Sequence, residues 1–365
     1  MLSGIRILDF SQYLPGPFAS LRLADMGAEV IKIESPAGDL GRYPLEEDGD
    51  YNYLFRAQNR SKKSVVLNLK ETEQQNKAYA LIRNADVIIE SFRPGVMKRF
   101  HLSYEEVAKE NPRIIYCSLS GYGQQGSMSH LGSHDLNYMA LSGVLSQLKD
   151  SSGKPTHPSI TFADLIAGMA ASESILAALF QRQQTGIGKY IDLALADVMI
   201  TLMNNHTLIE SATGYPYGIE MLNKKYISYF LYETKDQRYV SLAALEPKFW
   251  ENFCVAIGRE EWISSHQTSP SEDNPIYHEL IRLFKSKTLV EWARFSQEVD
   301  CCMAPVLETR ELMNHPYCKE RSLLGERWGL HYTATRYVAG NPQLAKATPH
   351  PKLGEHTETM WNNIV

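Results

Sequence analysis

Ser133-His134-Asp135 stands directly before a stretch that reads as a helix, which sets an imidazole beside a carboxylate where free main-chain N–H groups gather. Imidazole titrates near neutrality and is suited to taking and returning a proton. Two further carboxylates hold similar places: Asp164 opens the apolar stretch Leu165 to Phe180, and Glu246 precedes Pro247 at another helix start. Local sequence leaves two readings of each. His134 and Asp135 are a surface or helix-capping pair, or acid–base groups. Asp164 is a favourable charge at a helix N-terminus or a reactive carboxylate, and Glu246 is a first-turn helix acid or a functional carboxylate. If Ser133 caps a helix from Asp135 to about Leu148, the Asp135 N–H is a candidate donor to an oxyanion.

Other chemistries find little support. The five cysteines, Cys117, Cys254, Cys301, Cys302 and Cys318, lack C-x-x-C spacing, so no disulfide framework and no metal site is expected, and the thiols read as mostly buried and reduced. There is no GxxxxGK[ST] loop, and Gly121-Tyr122-Gly123-Gln124-Gln125-Gly126 reads as a turn. A net charge of −5 argues against a nucleic-acid partner. The 365 residues, 44% hydrophobic and 22% charged, suit a globular chain of enzyme size. Met1-Leu2-Ser3-Gly4-Ile5-Arg6 holds no leader-like apolar run, so a cytoplasmic location is expected. Leu165 to Phe180 is shorter than the ~20 residues that span a bilayer, so it reads as a core helix and no membrane partner is expected.

The elements that must position these groups alternate. Ile5 to Phe10, Ala28 to Glu34, Ser64 to Leu69, Asp86 to Glu90 and Arg113 to Ser118 read as strands. Pro17 to Met26, Glu71 to Ala85 and Ser103 to Glu110 read as helices between them, the last opened by a Ser103/Glu106 capping box. The fold class is therefore α/β: a large domain with a mostly parallel sheet flanked by helices, whose ligands belong beyond the strand carboxyl ends. A hairpin of Tyr226 to Tyr232 and Tyr239 to Leu245, around Lys235-Asp236-Gln237, opens a smaller α+β domain. The expected boundaries are 1–190 for the large domain, 191–224 for a linker, 225–325 for the small domain and 326–365 for a segment returning to the first, with Arg336-Tyr337-Val338 strand-like.

Ile5-Arg6-Ile7-Leu8-Asp9, Pro15-Gly16-Pro17, Gly27-Ala28-Glu29-Val30-Ile31-Lys32-Ile33-Glu34 and Glu90-Ser91-Phe92-Arg93-Pro94-Gly95 resemble family III CoA transferases. The likeness continues in order through Gly121-Tyr122-Gly123-Gln124, Thr185-Gly186-Ile187-Gly188, Ala304-Pro305-Val306 and Leu353-Gly354-Glu355-His356-Thr357, so it covers nearly the whole chain. The resemblance implies the fold of that family, an interlocked homodimer whose active site lies between the large domain of one subunit and the small domain of its partner. It also implies an acyl-CoA substrate, with no cofactor beyond coenzyme A as part of the thioester.

Within the family, Ser133-His134-Asp135-Leu136-Asn137-Tyr138 and Ala244-Leu245-Glu246-Pro247-Lys248-Phe249 resemble the racemase branch. That likeness implies inversion of the α-carbon of a 2-methylacyl-CoA thioester by His134 and Asp164 acting on opposite faces, with Glu246 supporting His134. Asp164 matches a residue used by both branches, so transfer of CoA through an Asp164 mixed anhydride stays open, as does non-catalytic binding of acyl-CoA. The phosphates of CoA call for cations on loops after strands. Arg60, Lys63, Lys70 and Arg93 are the candidates, while Lys62 with Lys63 also reads as a solvated charge run. The resemblance places Leu14, Leu67, Asn68, Leu69 and Phe92 at the same site. Two positions depart from the family: Ser35 stands where an arginine is common, with Arg42 or Lys63 as replacements, and Ile160 stands where the racemase branch can have asparagine. Met199, Met203 and Met221, with Leu202, Leu208 and Ile209, read either as core or as an adaptable surface under an acyl chain.

Overall fold

The structure is a computed structural model that describes residues 1–43, 53–150, 152–219, 222–335 and 346–362. The chain divides into two compact units, Met1–Met203 with Pro316–Val365, and Asn204–His315. Position 190 lies inside a strand and position 325 inside another, while 191–224, expected as linker, contains two helices. Met221 and Arg336-Tyr337-Val338 lie outside the described residues.

The first unit runs β1 (Arg6–Asp9), α1 (Pro15–Asp25), β2 (Glu29–Glu34), α2 (Tyr53–Gln58), β3 (Lys63–Val66), α3 (Thr72–Ile82), β4 (Val87–Glu90), α4 (Val96–Arg99) and α5 (Tyr104–Glu110). It continues with β5 (Ile115–Ser120), α6 (Asp135–Leu141), α7 (Val144–Gln147), α8 (Phe162–Thr185), β6 (Lys189–Ala194) and α9 (Leu195–Thr201). The six strands are parallel, in the order β3-β2-β1-β4-β5-β6. Successive side chains on a strand point to opposite faces, so unbroken apolar runs such as Ile7-Leu8 and Val87-Ile88-Ile89 feed two cores at once. Ile7, Val30, Val87 and Ile89 pack with α1 and α8 residues on one face; Leu8, Ile31, Val65 and Ile88 pack with α3 and α5 residues on the other.

Two glycines are dictated by close approach. A Cβ on Gly168 of α8 would lie 2.8 Å from the Pro15 carbonyl oxygen, so α1 and α8 meet main chain to main chain there. A Cβ on Gly188 would lie 1.9 Å from the Ile114 carbonyl oxygen, which accounts for the glycine that leads into β6 beside β5. The apolar run expected from Leu165 to Phe180 is part of a 24-residue helix that by length and composition could cross a membrane. In this unit Ala167, Ala171, Ile175 and Ala178 of that helix pack against the sheet.

The second unit contains α10 (Asn204–Thr213), β7 (Tyr229–Glu233), β8 (Tyr239–Ala243), α11 (Pro247–Ala256), α12 (Pro275–Phe284), α13 (Leu289–Glu298) and β9 (Met303–Pro305). The β7–β8 hairpin is antiparallel, and β9, which carries Ala304-Pro305, pairs with β8. Tyr232 stacks on Phe284 at 4.4 Å in a core that also holds Trp250, Phe253 and Trp292. The chain then returns to the first unit through α14 (Pro316–Glu320), the hairpin β10 (Leu324–Arg327) and β11 (Leu330–Thr333), and α15 (Thr357–Asn362). There Leu353-Gly354-Glu355-His356-Thr357 covers the edge strand β3: His356 N–H donates to Ser64 O at 2.9 Å and Val66 N–H to Thr357 Oγ1 at 3.0 Å. All five cysteines are free, with Cys302 exposed and Cys318 half-buried.

Candidate active site

The order in which the strands are added reverses between β1 and β4, and in such sheets the crevice beyond the carboxyl ends at that point is where ligands sit. The loops leaving β1 and β4 are tied together there by Gln12 N–H donating to Ser91 Oγ at 3.1 Å. The first of these loops carries Leu14, the second Phe92 and Arg93. Leu67, Asn68, Leu69 and Lys70 follow β3 at the same edge, so the structure brings these expected CoA-binding residues together.

A buried charge network shapes the first loop. Lys62 Nζ contacts Asp9 Oδ2 at 3.0 Å and Lys32 Nζ contacts Asp39 Oδ2 at 2.7 Å, with all four side chains out of water. Each lysine also donates to main chain beyond β1, Lys32 to Ser11 O in the loop at 2.7 Å and Lys62 to Pro17 O in the first turn of α1 at 3.0 Å. Burial alone would raise the Asp9 carboxyl, but the Lys62 and Lys32 ammoniums and the Ser11 and Ser20 hydroxyls outweigh it and hold the group well below the usual carboxylate range. Burial pulls the Lys62 ammonium down to about 8 despite Asp9. Lys62 is therefore a core residue rather than part of a solvated charge run.

The expected cations separate into two kinds. Arg93 is exposed, and its Nη2 lies against Gly132, where a Cβ would come within 3.1 Å of it. Lys70 is exposed as well. Arg60, by contrast, is 1% exposed and its Nη2 is bound to Asp25 Oδ2 at 2.6 Å, so its charge is committed inside the fold. Lys63 is half-buried and pairs with Glu29 at 2.5 Å. Arg42 grips Glu34 through Nε and Nη2, each at 2.7 Å, and lies over the Phe55 ring, so it does not stand in for the arginine missing at Ser35. Leu67 is buried with its N–H on Glu34 O, and Asn68 Nδ2 donates to Glu71 Oε1 at 2.5 Å. Phe92 N–H donates to Glu90 Oε2 at 2.8 Å.

The acid–base candidates of the first unit cluster where α6 and α8 begin. His134, exposed, is the N-cap of α6 and its N–H donates to Asn137 Oδ1 at 3.0 Å. The expected cap, Ser133, instead donates to Tyr138 Oη at 2.8 Å. The helix stops at Leu141 rather than near Leu148, because Gly143 takes a left-handed conformation (φ 86°) before α7. Asp135 is the first residue of α6, and its Oδ1 accepts the main-chain N–H of Asp164 at 3.0 Å. Burial, and then the charge of Asp135, push the Asp164 carboxyl up to about 7. That contact supplies a polar support for the Asp164 segment although Ile160, 48% exposed, replaces the asparagine. Glu246 belongs to the second unit, where it is exposed and stands at the N-cap position of α11, directly before Pro247, without a side-chain cap bond. Met199 and Met203 are buried, while Leu202 and Leu208 are exposed.

A carboxyl group titrating near 7, an imidazole and a helix N-terminus can exchange a proton with a carbon acid and hold the resulting oxyanion; the same carboxylate can attack an acyl carbon. Sequence reasoning missed Glu90 and the set of Asp9, Lys32, Asp39 and Lys62. For Lys32 and Glu90 the signal is a charged residue inside an otherwise apolar strand, Val30-Ile31-Lys32-Ile33 and Val87-Ile88-Ile89-Glu90. Among the described residues no three His, Cys, Asp or Glu side chains gather as metal ligands.

The sequence profile described as CoA-transferase family III matches residues 2–357. The chain is 33% identical to the alpha-methylacyl-CoA racemase of Homo sapiens, over 98% of this chain and 92% of that protein. It is 31% identical to the acetyl-CoA:oxalate CoA-transferase of Acetobacter aceti, over 96% and 91%. A CAIB/BAIF family protein from Brucella suis shares the fold, with a TM-score of 0.85 at 24% identity over 100% of this chain and 99% of that one.

Proposed function

This chain is a member of the CoA-transferase family III, an enzyme family, and from that premise we propose that it inverts the α-carbon of 2-methylacyl-CoA thioesters by a two-base proton transfer. The observation that carries this reading is the Asp164 carboxyl raised to about 7 beside Asp135. Inversion requires one group to give a proton in one direction and take it in the other, and a group titrating near neutrality serves both.

In one direction the Asp164 carboxylate removes the α-hydrogen as a proton, and the C–H electron pair moves into the thioester carbonyl to form an enolate. Free N–H groups at the start of α6, that of Asp135 first among them, hold the enolate oxygen. Protonated His134 returns a proton to the opposite face; in the other direction the two groups exchange roles. Coenzyme A takes part as the substrate's handle, with its phosphates at Arg93 and Lys70. Leu165 and Met169, on α8 just past Asp164, line a cleft of about 540 Å³ with Phe18 and Leu21, which offers the acyl chain apolar surface. Glu246 would reach His134 from the partner subunit of a homodimer; the exposed Leu136, Leu141, Ile200 and Leu202 give the first unit apolar surface for such a partner to cover.

A second reading, CoA transfer, draws support from the relatives named CoA-transferases. There the Asp164 carboxylate would attack the acyl carbon, release the CoA thiolate and pass the acyl group on as a mixed anhydride. Proton NMR of a 2-methylacyl-CoA incubated with the protein in deuterium oxide, with and without a free carboxylic acid, separates the two. Deuterium at the α-carbon with epimerisation, independent of the acid, is expected; CoA transfer without α-exchange would reverse the order. Neither reaction would leave a binding protein.

A further inference from the structure

Glu90, 3% exposed, ends β4 on the face it shares with Ser118 and Asp192 of the neighbouring strands, Glu90 facing Ser118 and Ser118 facing Asp192 across the ladder. A buried carboxylate normally finds a cation; the charge acting on this one is Asp192, of like sign. What it does hold is the main chain two residues on, where its Oε2 accepts the Phe92 N–H at 2.8 Å. The next residue is Arg93, whose guanidinium rests on Gly132, two positions before His134. Glu90 therefore stands at the root of a short mechanical chain, from carboxyl to amide to guanidinium to the loop that ends at α6. A cleft of about 390 Å³ opens onto it, so protons and water have a path to the group.

We infer that Glu90 is a positioning residue: by holding the Phe92 amide it fixes the turn that presents Arg93 to the phosphates of the thioester and braces the loop before His134, and that hold changes when its carboxyl gains or loses a proton. The inference rests on the reading of Arg93 as a CoA contact. Burial, with Asp192, brings the Glu90 carboxyl to about 7, against the opposing pull of Ser118 and the Phe92 amide, so the change falls in the physiological range. The other charged and titratable groups around the cleft are Tyr116 of β5, Tyr190 of β6, Tyr104 and Glu105 of α5, and Arg93 and Lys98 at and beside α4. The tyrosines whose titration is shifted here, Tyr116 and Tyr190, are pushed up by burial, away from neutrality.

A hydrogen bond to a carboxylate is stronger than one to its neutral acid, so the turn is held best with Glu90 ionised. Glu90→Gln keeps an oxygen for the Phe92 N–H but cannot titrate. Calorimetric binding of coenzyme A itself is to be measured on the full-length protein at pH 6 and pH 8, for wild type, Glu90→Gln, Arg93→Ala and the double variant, with circular dichroism to show that each is folded. From pH 6 to pH 8 the wild type is expected to gain about fivefold in affinity beyond the gain of Glu90→Gln, which removes the titration of the coenzyme's own phosphates from the comparison. In the Arg93→Ala background that difference should vanish. If Arg93→Ala binds coenzyme A as well as wild type, the reading of Arg93 fails and this inference with it. If Arg93→Ala weakens binding but wild type and Glu90→Gln run parallel, or diverge in the opposite sense, Glu90 has no positioning role and the reading of Arg93 stands.

Discussion

The main-chain N–H of Asp164 donates to the Asp135 carboxylate at 3.0 Å, which joins the first turn of α8 to the first turn of α6 and sets two carboxyl groups side by side. One of them accepts the N–H; the other, pushed up by burial and by the charge beside it, holds its proton to about 7.

Asp135→Asn tests this pairing, because the amide oxygen can still accept the Asp164 N–H while the charge is gone. Burial remains, so the Asp164 carboxyl should stay above the ordinary range but fall by roughly one unit. The acid limb of the pH profile for α-hydrogen exchange should move to lower pH by that amount. A profile that does not move would show that Asp135 leaves the Asp164 titration alone.

Handedness should separate the two bases. In His134→Ala, Asp164 can still abstract the proton of the epimer that faces it, and the main-chain donors that hold the enolate remain. That epimer should slowly gain deuterium with retained configuration while the other stays unlabelled, and Asp164→Asn should show the mirror image. Equal labelling of both epimers in either variant would mean that one base serves both faces.

Arg93 and Arg60 should part company. Arg93→Ala should raise KM for the thioester by about 10- to 100-fold with kcat little changed, the effect of losing one charge-assisted bond of ~1.5–3 kcal/mol remote from the α-carbon. Arg60→Ala strands the buried Asp25 carboxylate and should cost ~3–5 kcal/mol of stability, read as a large fall in the urea midpoint. A stable Arg60→Ala chain with a raised KM would return Arg60 to the ligand site.

Glu90 should make stability fall as pH rises. Its carboxyl titrates at about 7 when folded against 4.5 as the reference value. Below about 4.5 both states are protonated and nothing is lost. Between 4.5 and 7 the unfolded chain releases the proton that the folded chain keeps, and above 7 the penalty on the buried charge is complete. Glu90→Gln should therefore be more stable than wild type by on the order of 1–3 kcal/mol at pH 8, with most of that advantage gone near pH 5. Urea midpoints at the two pH values check this, and an advantage that does not shrink with acid would contradict the assignment.

The alternation of strand and helix could be read from sequence because each half of the pattern has its own physical mark: unbroken apolar runs for strands buried on both faces, and caps such as Ser103/Glu106, whose box forms as expected. The family motifs singled out Arg93, His134 and Asp164, which the structure sets after β4, at the N-cap of α6 and in the first turn of α8. What could not be read depends on partners distant in sequence. Lys62 looks like one cation of a solvated run until Asp9 is folded against it, and Arg60 looks free until Asp25, 35 residues away, takes its guanidinium. The early end of α6 hangs on the left-handed turn at Gly143. The titration of Asp164 and Glu90 is set by burial, which local sequence does not specify.

The strap of residues 353–357 along β3 also has a cost in time. A ribosome adds ~5–20 residues per second, so the 291 residues that follow Val66 up to and including Thr357 take roughly 15–60 s to be made. Throughout that interval the nascent chain shows the outer edge of β3, Ser64 to Val66, with its amides open to any passing strand. Closure of the sheet's rim thus waits until Thr357 has been made and has left the ribosome. Variants that weaken the strap, such as His356→Ala or Thr357→Ala, should reveal themselves first as chains lost to aggregation during synthesis, before they show as lower activity in the molecules that survive it.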